Sequence, residues 1–394
     1  MFTKNNTMNE ILNTEPVGRA AGNLFPTCFM ARVPVEHRDH TMAQIEKEET
    51  MEWGAPFLAD AFLECANLIK ETAETKKFKY IPLWGENDDA SAGDKMSHWK
   101  NGIPDADLNT EEGVWLFTGD PAVDNEAFAH TAGSDSIPPY ESVAVSKEKR
   151  NTSGLKPAVI LCPGGGYEHH SPREGEAVAV KLLSLGMNAA ILRYSLIPDE
   201  FPCALYEAAY AVRYLREHAK EWDCDPDKII IAGFSAGGHV AASLGTMWNS
   251  KELEGFVKEY LHTEPEMIRP DGMLLGYPVI TSGEKAHRKS FERLLGTRYE
   301  QLLESVSLEE RVTKDTPQTF LWHTVTDGAV PVENSMLFAQ ALQKEHIGFE
   351  LHLFPHGNHG LGLGTRETDT ADGTHFQPEV SVWPELFATW VENL

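Results

Sequence analysis

The sequence predicts an α/β fold: a mainly parallel sheet with helices on both faces, preceded by a mainly helical N-terminal extension. Three observations carry this. Short apolar runs of strand length alternate with amphipathic stretches of helical length. Two of the runs close on glycine-rich turns, "CPGGGY" and "GFSAGG". And the first 75 residues break the rhythm, with helical spacing in place of strands.

Taken in order, "MAQIEKEETM" and "PFLADAFLECANLIKETAETKK" read as helices, the second with Leu58, Ala61, Phe62, Cys65, Leu68, Ile69 and Thr72 on one face. That face packs on the main domain; a lid or an oligomer contact is the alternative. "KFKYIPLW" opens the main domain, 76–394, as a strand, and "YESVAVS" reads as the second strand. Between them residues 85–139 are acidic, polar and turn-rich, and read as an insertion in which Trp99 and Trp115 anchor a loop or, in the alternative, face a substrate. "KPAVILCPGGGY" is a buried strand and turn, "EGEAVAVKLLSLG" a helix stopped at Gly186, "MNAAILRYSL" a strand, and "CALYEAAYAVRYLREHAKEW" a long amphipathic helix. "KIIIAG" precedes a helix from about Gly237; "DGMLLGYPVI", "TFLWHTVTD" and "FELHLFPHG" are further strands, and "VWPELFATWVENL" a closing helix. Crossovers between parallel strands are expected to be right-handed.

The chain has 394 residues, 41% apolar and 24% charged, an ordinary globular composition with length for a large core. The formal net charge of −26 argues against nucleic acid and against anionic membrane as partners. Five cysteines at irregular spacing, with no C-x-x-C pair, support neither a zinc ribbon nor a disulfide framework. Reduced thiols and an N-terminal stretch without a signal-like apolar core point to the cytoplasm. No apolar run approaches membrane-spanning length.

Chemistry concentrates at Gly233-Phe234-Ser235-Ala236-Gly237. A tight strand-to-helix turn pushes Ser235 out over the sheet edge, and the flanking glycines relieve clashes with the neighbouring strand and helix. This is the G-x-S-x-G nucleophile elbow, in its required strand–turn–helix context. The helix N-terminus beyond it adds N–H groups and the positive end of a dipole. In the chain order of this arrangement the acid and the base follow the serine. Asp327 ends one strand and His359 follows the next, both at C-terminal strand ends where ligands bind in such sheets. Ser235 would attack, His359 would take its proton, and Asp327 would hold the imidazole. His356 and His323 are competitors for the base, and Glu333 is the fallback acid. The Ala236 amide and the loop Gly164-Gly165-Gly166 are the candidate oxyanion donors, with Gly165 and Gly166 preferred. Tyr167, His169 and Phe234 are the substrate-pocket candidates. His37/His40 and His169/His170 lack the carboxylates a metal site would want, and no metal or organic cofactor is implied.

The stretches "VILCPGGGYEHHSPREGEAVAVKLLSLGMNAAILRYSL", "DPDKIIIAGFSAGGHVAASLGT", "HTVTDGAVPVENSMLFAQAL" and "FPHGNHGLGLG" together resemble the α/β-hydrolase esterases of the acetylxylan-esterase and bacterial feruloyl-esterase-like (BD-FAE-like) group. The resemblance covers about residues 78–394. It implies a Ser235–His359–Asp327 triad, an oxyanion hole around Gly165, Gly166 and Ala236, and deacylation of short-chain esters, acetyl groups on small carbohydrates first among them. Glu207 stands where the group usually has Asp, and Thr326 where it often has an acidic residue. The implied partner is a small-molecule ester, such as an acetylated oligosaccharide. A serine peptidase or amidase of the prolyl-oligopeptidase or formamidase type shares the elbow, but 75 leading residues cannot build the propeller that the first of these carries. A non-catalytic binding module is the third reading, opposed by the intact Ser, Asp and His.

Overall fold

In the computed structural model an eight-stranded sheet runs through the molecule in the order β1-β2-β4-β3-β5-β6-β7-β8. The structure describes residues 1–14 and 35–47, helical positions between 59 and 70, strands at 78–82 and 113–117, and residues 154–394 except 172, 371 and 372. The strands are β1 (Phe78–Pro82), β2 (Gly113–Phe117), β3 (Lys156–Cys162), β4 (Asn188–Leu192), β5 (Cys224–Phe234), β6 (Gly272–Gly276), β7 (Gln318–Thr324) and β8 (Phe349–Phe354). From β4 through β8 every neighbouring pair is parallel, while β2 is antiparallel to both β1 and β4.

Among the described residues the α-helices of five or more residues with both ends described are α1 (Met8–Leu12), α2 (Met42–Lys47), α3 (Glu176–Ser184), α4 (Cys203–Glu217), α5 (Ala236–Met247), α6 (Lys251–Glu259), α7 (Arg288–Leu295), α8 (Glu333–Lys344) and α9 (Trp383–Glu392). Alternation along the strands sorts their side chains into two cores. Ala158, Ile160 and Cys162 of β3 pack with Leu205, Ala208 and Val212 of α4 and with Val240 and Leu244 of α5. Val159 and Leu161 face the other way, onto Val178 and Leu182 of α3 and Phe387 and Trp390 of α9. A period of two on strands covered on both faces produces this division. Among the described residues no helix is long and apolar enough to cross a membrane.

This topology positions the site. From β3 the chain passes through α3 to β4 on one side, then returns through α4 to β5 on the other side of β3. Crossovers of one hand running in opposite directions put α3 and α4 on opposite faces, as their separate cores record. The C-terminal ends of β3 and β5 therefore flank a switch point, where such sheets bind ligands. Cys162 pairs with Gly233 there, so the "CPGGGY" loop and the serine turn leave the sheet side by side.

The N-terminal region is helical at α1, at α2 and at Ala59, Phe62, Leu63 and Ala66. Met8, Ile11, Met42, Ile45, Ala59, Phe62, Leu63 and Ala66 are buried in the same core as α3 and α9. Thr7 and Glu10 close α1 with a capping box. Phe62 belongs to the face read from the sequence, whose other members lie outside the described residues. The strand expected at "YESVAVS" also lies outside them.

One expectation changes. The segment 85–139, read as an insertion between the first two strands, itself contains β2, and Trp115 is a strand residue paired with Tyr80 and Ile191. "GVWLF" spans only five residues. Set in a polar, acidic window, so short an apolar run carries little periodicity to read.

Candidate active site

Ser235 joins β5 to α5 with φ 54° and ψ −122°, a backbone conformation that costs a serine about 1–3 kcal/mol. It is clamped there. Its amide donates to the Gly276 carbonyl at 3.1 Å, and its own carbonyl accepts from the Val279 amide at 2.9 Å. The flanking glycines leave no choice of residue. A Cβ on Gly237 would fall 2.0 Å from the Cys162 carbonyl oxygen, and one on Gly233 would fall 2.0 Å from the Gly237 oxygen. Behind the turn every residue of α5 is buried, which its small, apolar composition permits.

His359 and Asp327 arrive from the neighbouring strand ends. His359 Nε2 is 2.7 Å from Ser235 Oγ, and Nδ1 is 2.7 Å from Asp327 Oδ2. An ionised carboxylate only accepts, so Nδ1 carries the proton and Nε2 accepts from the serine hydroxyl. The Asp327 side chain is fully enclosed. Its Oδ1 accepts from the Ala329 and Val330 amides, each at 2.9 Å. Burial alone would raise this carboxyl. The hydrogen bonds from His323 and His359, the charge of His359 and the Ala329 amide outweigh it and hold Asp327 well below the usual carboxylate range.

The His359 loop is pinned by three side chains. Thr324 and Thr326 both donate to the Gly357 carbonyl, at 3.0 and 3.1 Å, and the Gly357 amide donates to Thr326 Oγ1 at 3.0 Å. His375 Nε2 donates to the carbonyl of His359 itself at 3.0 Å. Thr326 thus stands beside Asp327 as a tie between the two loops, where the resemblance implies an acidic residue. Glu207 is likewise a brace: buried in α4, it accepts from the Ser195 amide at 2.6 Å and from its hydroxyl at 2.5 Å.

The glycine loop after β3 lies against the serine. A Cβ on Gly164 would fall 2.9 Å from that of Ser235. Gly165 and Gly166 have φ of 129° and 63°, left-handed values that suit glycine. The Gly166 carbonyl accepts from Arg293 Nη1 at 3.2 Å, while Arg293 Nη2 pairs with Glu168 at 2.5 Å. His287, ahead of α7, bonds Ser290 at 2.8 Å; burial, then the neighbouring His359 and Arg293, depress its pKa.

Two of the three pocket candidates are buried. Phe234 is fully buried in the core, its ring against Tyr277, Trp322 and Trp383. Strand alternation turns it away from the sheet edge that Ser235 faces. Tyr167 is buried as well, its hydroxyl 2.9 Å from His239 Nδ1. His239 Nε2 is 2.9 Å from the Val306 carbonyl, which fixes the proton on that nitrogen and makes Tyr167 the donor. His169 is exposed beside the loop. Of the competitors, His356 is exposed, Glu333 pairs with Lys285 at 3.0 Å, and His323 is buried behind Asp327. His37 and His40 meet edge to face at 5.1 Å, and no group of three or more potential metal ligands occurs among the described residues.

Sequence reasoning passed over Glu174, Tyr277, Thr324 and His375. None sits in a local motif, because each contact joins loops or turns that only the fold brings together.

Known proteins are similar to this chain. The chain is 34% identical to the acetyl ester-xyloside bifunctional hydrolase of Caldicellulosiruptor lactoaceticus, with a TM-score of 0.57 over 80% of this chain and 96% of that one. Over 222 residues, 55% of the chain, it is 39% identical to endo-1,4-beta-xylanase B of Butyrivibrio fibrisolvens and 29% identical to an acetylxylan esterase of Xylanibacter ruminicola. These matches span 34% and 42% of the two curated relatives' lengths. The sequence model of the BD-FAE family matches residues 145–342, just over half of the chain, which therefore belongs to the BD-FAE family and carries the α/β-hydrolase fold.

Proposed function

We propose that the chain is a serine carboxylic ester hydrolase that removes short acyl groups, acetyl foremost, from small carbohydrate esters. The observation that carries the reading is the unbroken hydrogen-bonded line from Ser235 Oγ through His359 to Asp327, each link 2.7 Å, at the head of a strained strand-to-helix turn.

In this reading His359 Nε2 takes the Ser235 proton as Oγ attacks the ester carbonyl. Asp327 stabilises the imidazolium that forms. The developing oxyanion is held by the Ala236 amide and by amides of the Gly165–Gly166 turn, already frozen in place and needing no reorganisation. The imidazolium returns its proton to the departing sugar oxygen, leaving an acyl-serine. Water activated by the same histidine then releases the acid.

Support for the acyl group and the alcohol comes from relatives whose names mention acetylxylan, acetyl esters and xylosides.

The test is a matched panel on the purified protein and its Ser235→Ala variant: p-nitrophenyl acetate, butyrate and octanoate, acetylated xylo-oligosaccharides, and an aminoacyl-p-nitroanilide. Acetate release from the oligosaccharides, absent in the variant, is the expected result. Cleavage of the anilide with indifference to esters would move the chain to the peptidases, and equal silence of both proteins would leave a binding module.

A further inference from the structure

A buried carboxylate outside the triad joins the two loops that the reaction needs. Glu174, on the turn before α3, is 2% exposed. Its Oε2 accepts from the Gly164 amide at 2.8 Å, and its Oε1 accepts from the Tyr277 hydroxyl at 2.7 Å. Tyr277 in turn accepts from the Gly362 amide at 2.9 Å. The directions are unambiguous: the two amides can only donate, so the Tyr277 proton goes to Glu174. Burial, then the adjacent Glu174, push the Tyr277 pKa upward and keep that proton in place.

Gly164 begins the glycine loop after β3, and Gly362 follows His359 by three positions. Tyr277, directly after β6, sits at φ 36° and lays its ring edge-on to His359 at 5.0 Å between centroids. A strained tyrosine persists where its surroundings over-determine it. We propose that Glu174 and Tyr277 are positioning residues, a single strut that sets the oxyanion loop at a fixed distance from His359. The proposal rests on the serine-hydrolase reading above.

The strut has a testable logic. Glu174→Gln cannot accept from both neighbours: with its oxygen on the Gly164 N–H, its amide nitrogen must donate to the Tyr277 oxygen, which turns the tyrosine proton out of the connection. Tyr277→Phe removes one oxygen and leaves the ring against His359. Each variant is expected to lower kcat on the order of 10- to 100-fold with KM little changed, the scale of a small misplacement of reacting groups. The double variant should be no slower than the slower single one, since both cut the same connection. Losses that multiply, a change confined to KM, or near-parent kcat in a folded variant would each overturn the proposal. If Glu174→Gln does not fold, Tyr277→Phe decides.

Hydrogen exchange gives a readout independent of turnover. Peptides covering 164–171 and 360–364 should lose protection together in either variant; loss in one alone speaks against the strut. The parent's labelling at Ser235 by diethyl p-nitrophenyl phosphate separates the two ideas. An unlabelled, inactive parent removes the esterase reading, while the exchange experiment still judges the strut.

Discussion

His323 stands behind Asp327, its Nε2 3.4 Å from the same Oδ2 that His359 holds at 2.7 Å. The Val330 carbonyl lies 3.0 Å from that nitrogen, and Ser335 Oγ is 2.8 Å from Nδ1. Since the carbonyl only accepts, Nε2 bears the proton and leans it toward both oxygens. His323→Leu should therefore cost twice. Two buried partners lose their hydrogen bonds, worth about 1–3 kcal/mol and visible as a lower thermal midpoint. Turnover should also fall roughly tenfold as Asp327 loses a neighbour that orients it. Normal turnover in the folded variant would show that the two amides on Oδ1 suffice.

Asp327→Asn presents an amide to His359 Nδ1 and favours the wrong tautomer. Turnover on p-nitrophenyl acetate should drop on the order of 10⁴-fold. A modest drop would mean that another group orients His359.

Ser235 allows chemistry and strain to be separated. Ser235→Ala should abolish turnover and leave the thermal midpoint nearly where it was. Ser235→Gly should be equally inactive but more stable than the alanine variant by about 1 kcal/mol, because glycine accepts φ 54° without penalty. Equal midpoints for the two would place the strain elsewhere.

Gly237→Ala should fail for steric reasons alone. The new methyl would meet the backbone of β3, which cannot retreat without breaking its pairing to β5. Insoluble expression, or a loss of several kcal/mol by urea titration, is expected.

Acid should weaken the fold through His239. Burial, opposed only in part by the Val306 carbonyl, lowers it to about 4. The unfolded histidine binds its proton near pH 6.5, so between those values the unfolded chain holds the extra proton, and stability falls as pH falls. The full effect is about 3 kcal/mol, complete near pH 4. Protonation would also expel Tyr167 as a donor to Nδ1. Urea midpoints at several pH values, for the parent and for His239→Gln, should show a shallower acid slope in the variant.

What the sequence reveals depends on how far apart the interacting groups lie. The elbow is legible because its physics is local: five residues, two of them glycine, between a strand and a helix. Asp327 and His359 are legible because parallel strands deliver their C-terminal ends to one edge. Adjacency misleads at Phe234, since the residue before Ser235 ends a strand and faces the opposite side. Glu174 and Tyr277 leave no trace, being 103 residues apart with no pattern around either. β2 is hidden by its brevity.

The order in which the strands are made carries a last consequence. Ser235, its glycine loop and the fully buried α5 belong to the middle of the chain, whereas His359 lies 124 residues beyond the serine and reaches it only after β8 has joined the sheet. Under the proposed mechanism a growing chain thus holds its nucleophile before its base has been made. In that reading hydrolytic competence waits for β8, and activity reports on the joining of the C-terminal strands rather than on the integrity of any one motif.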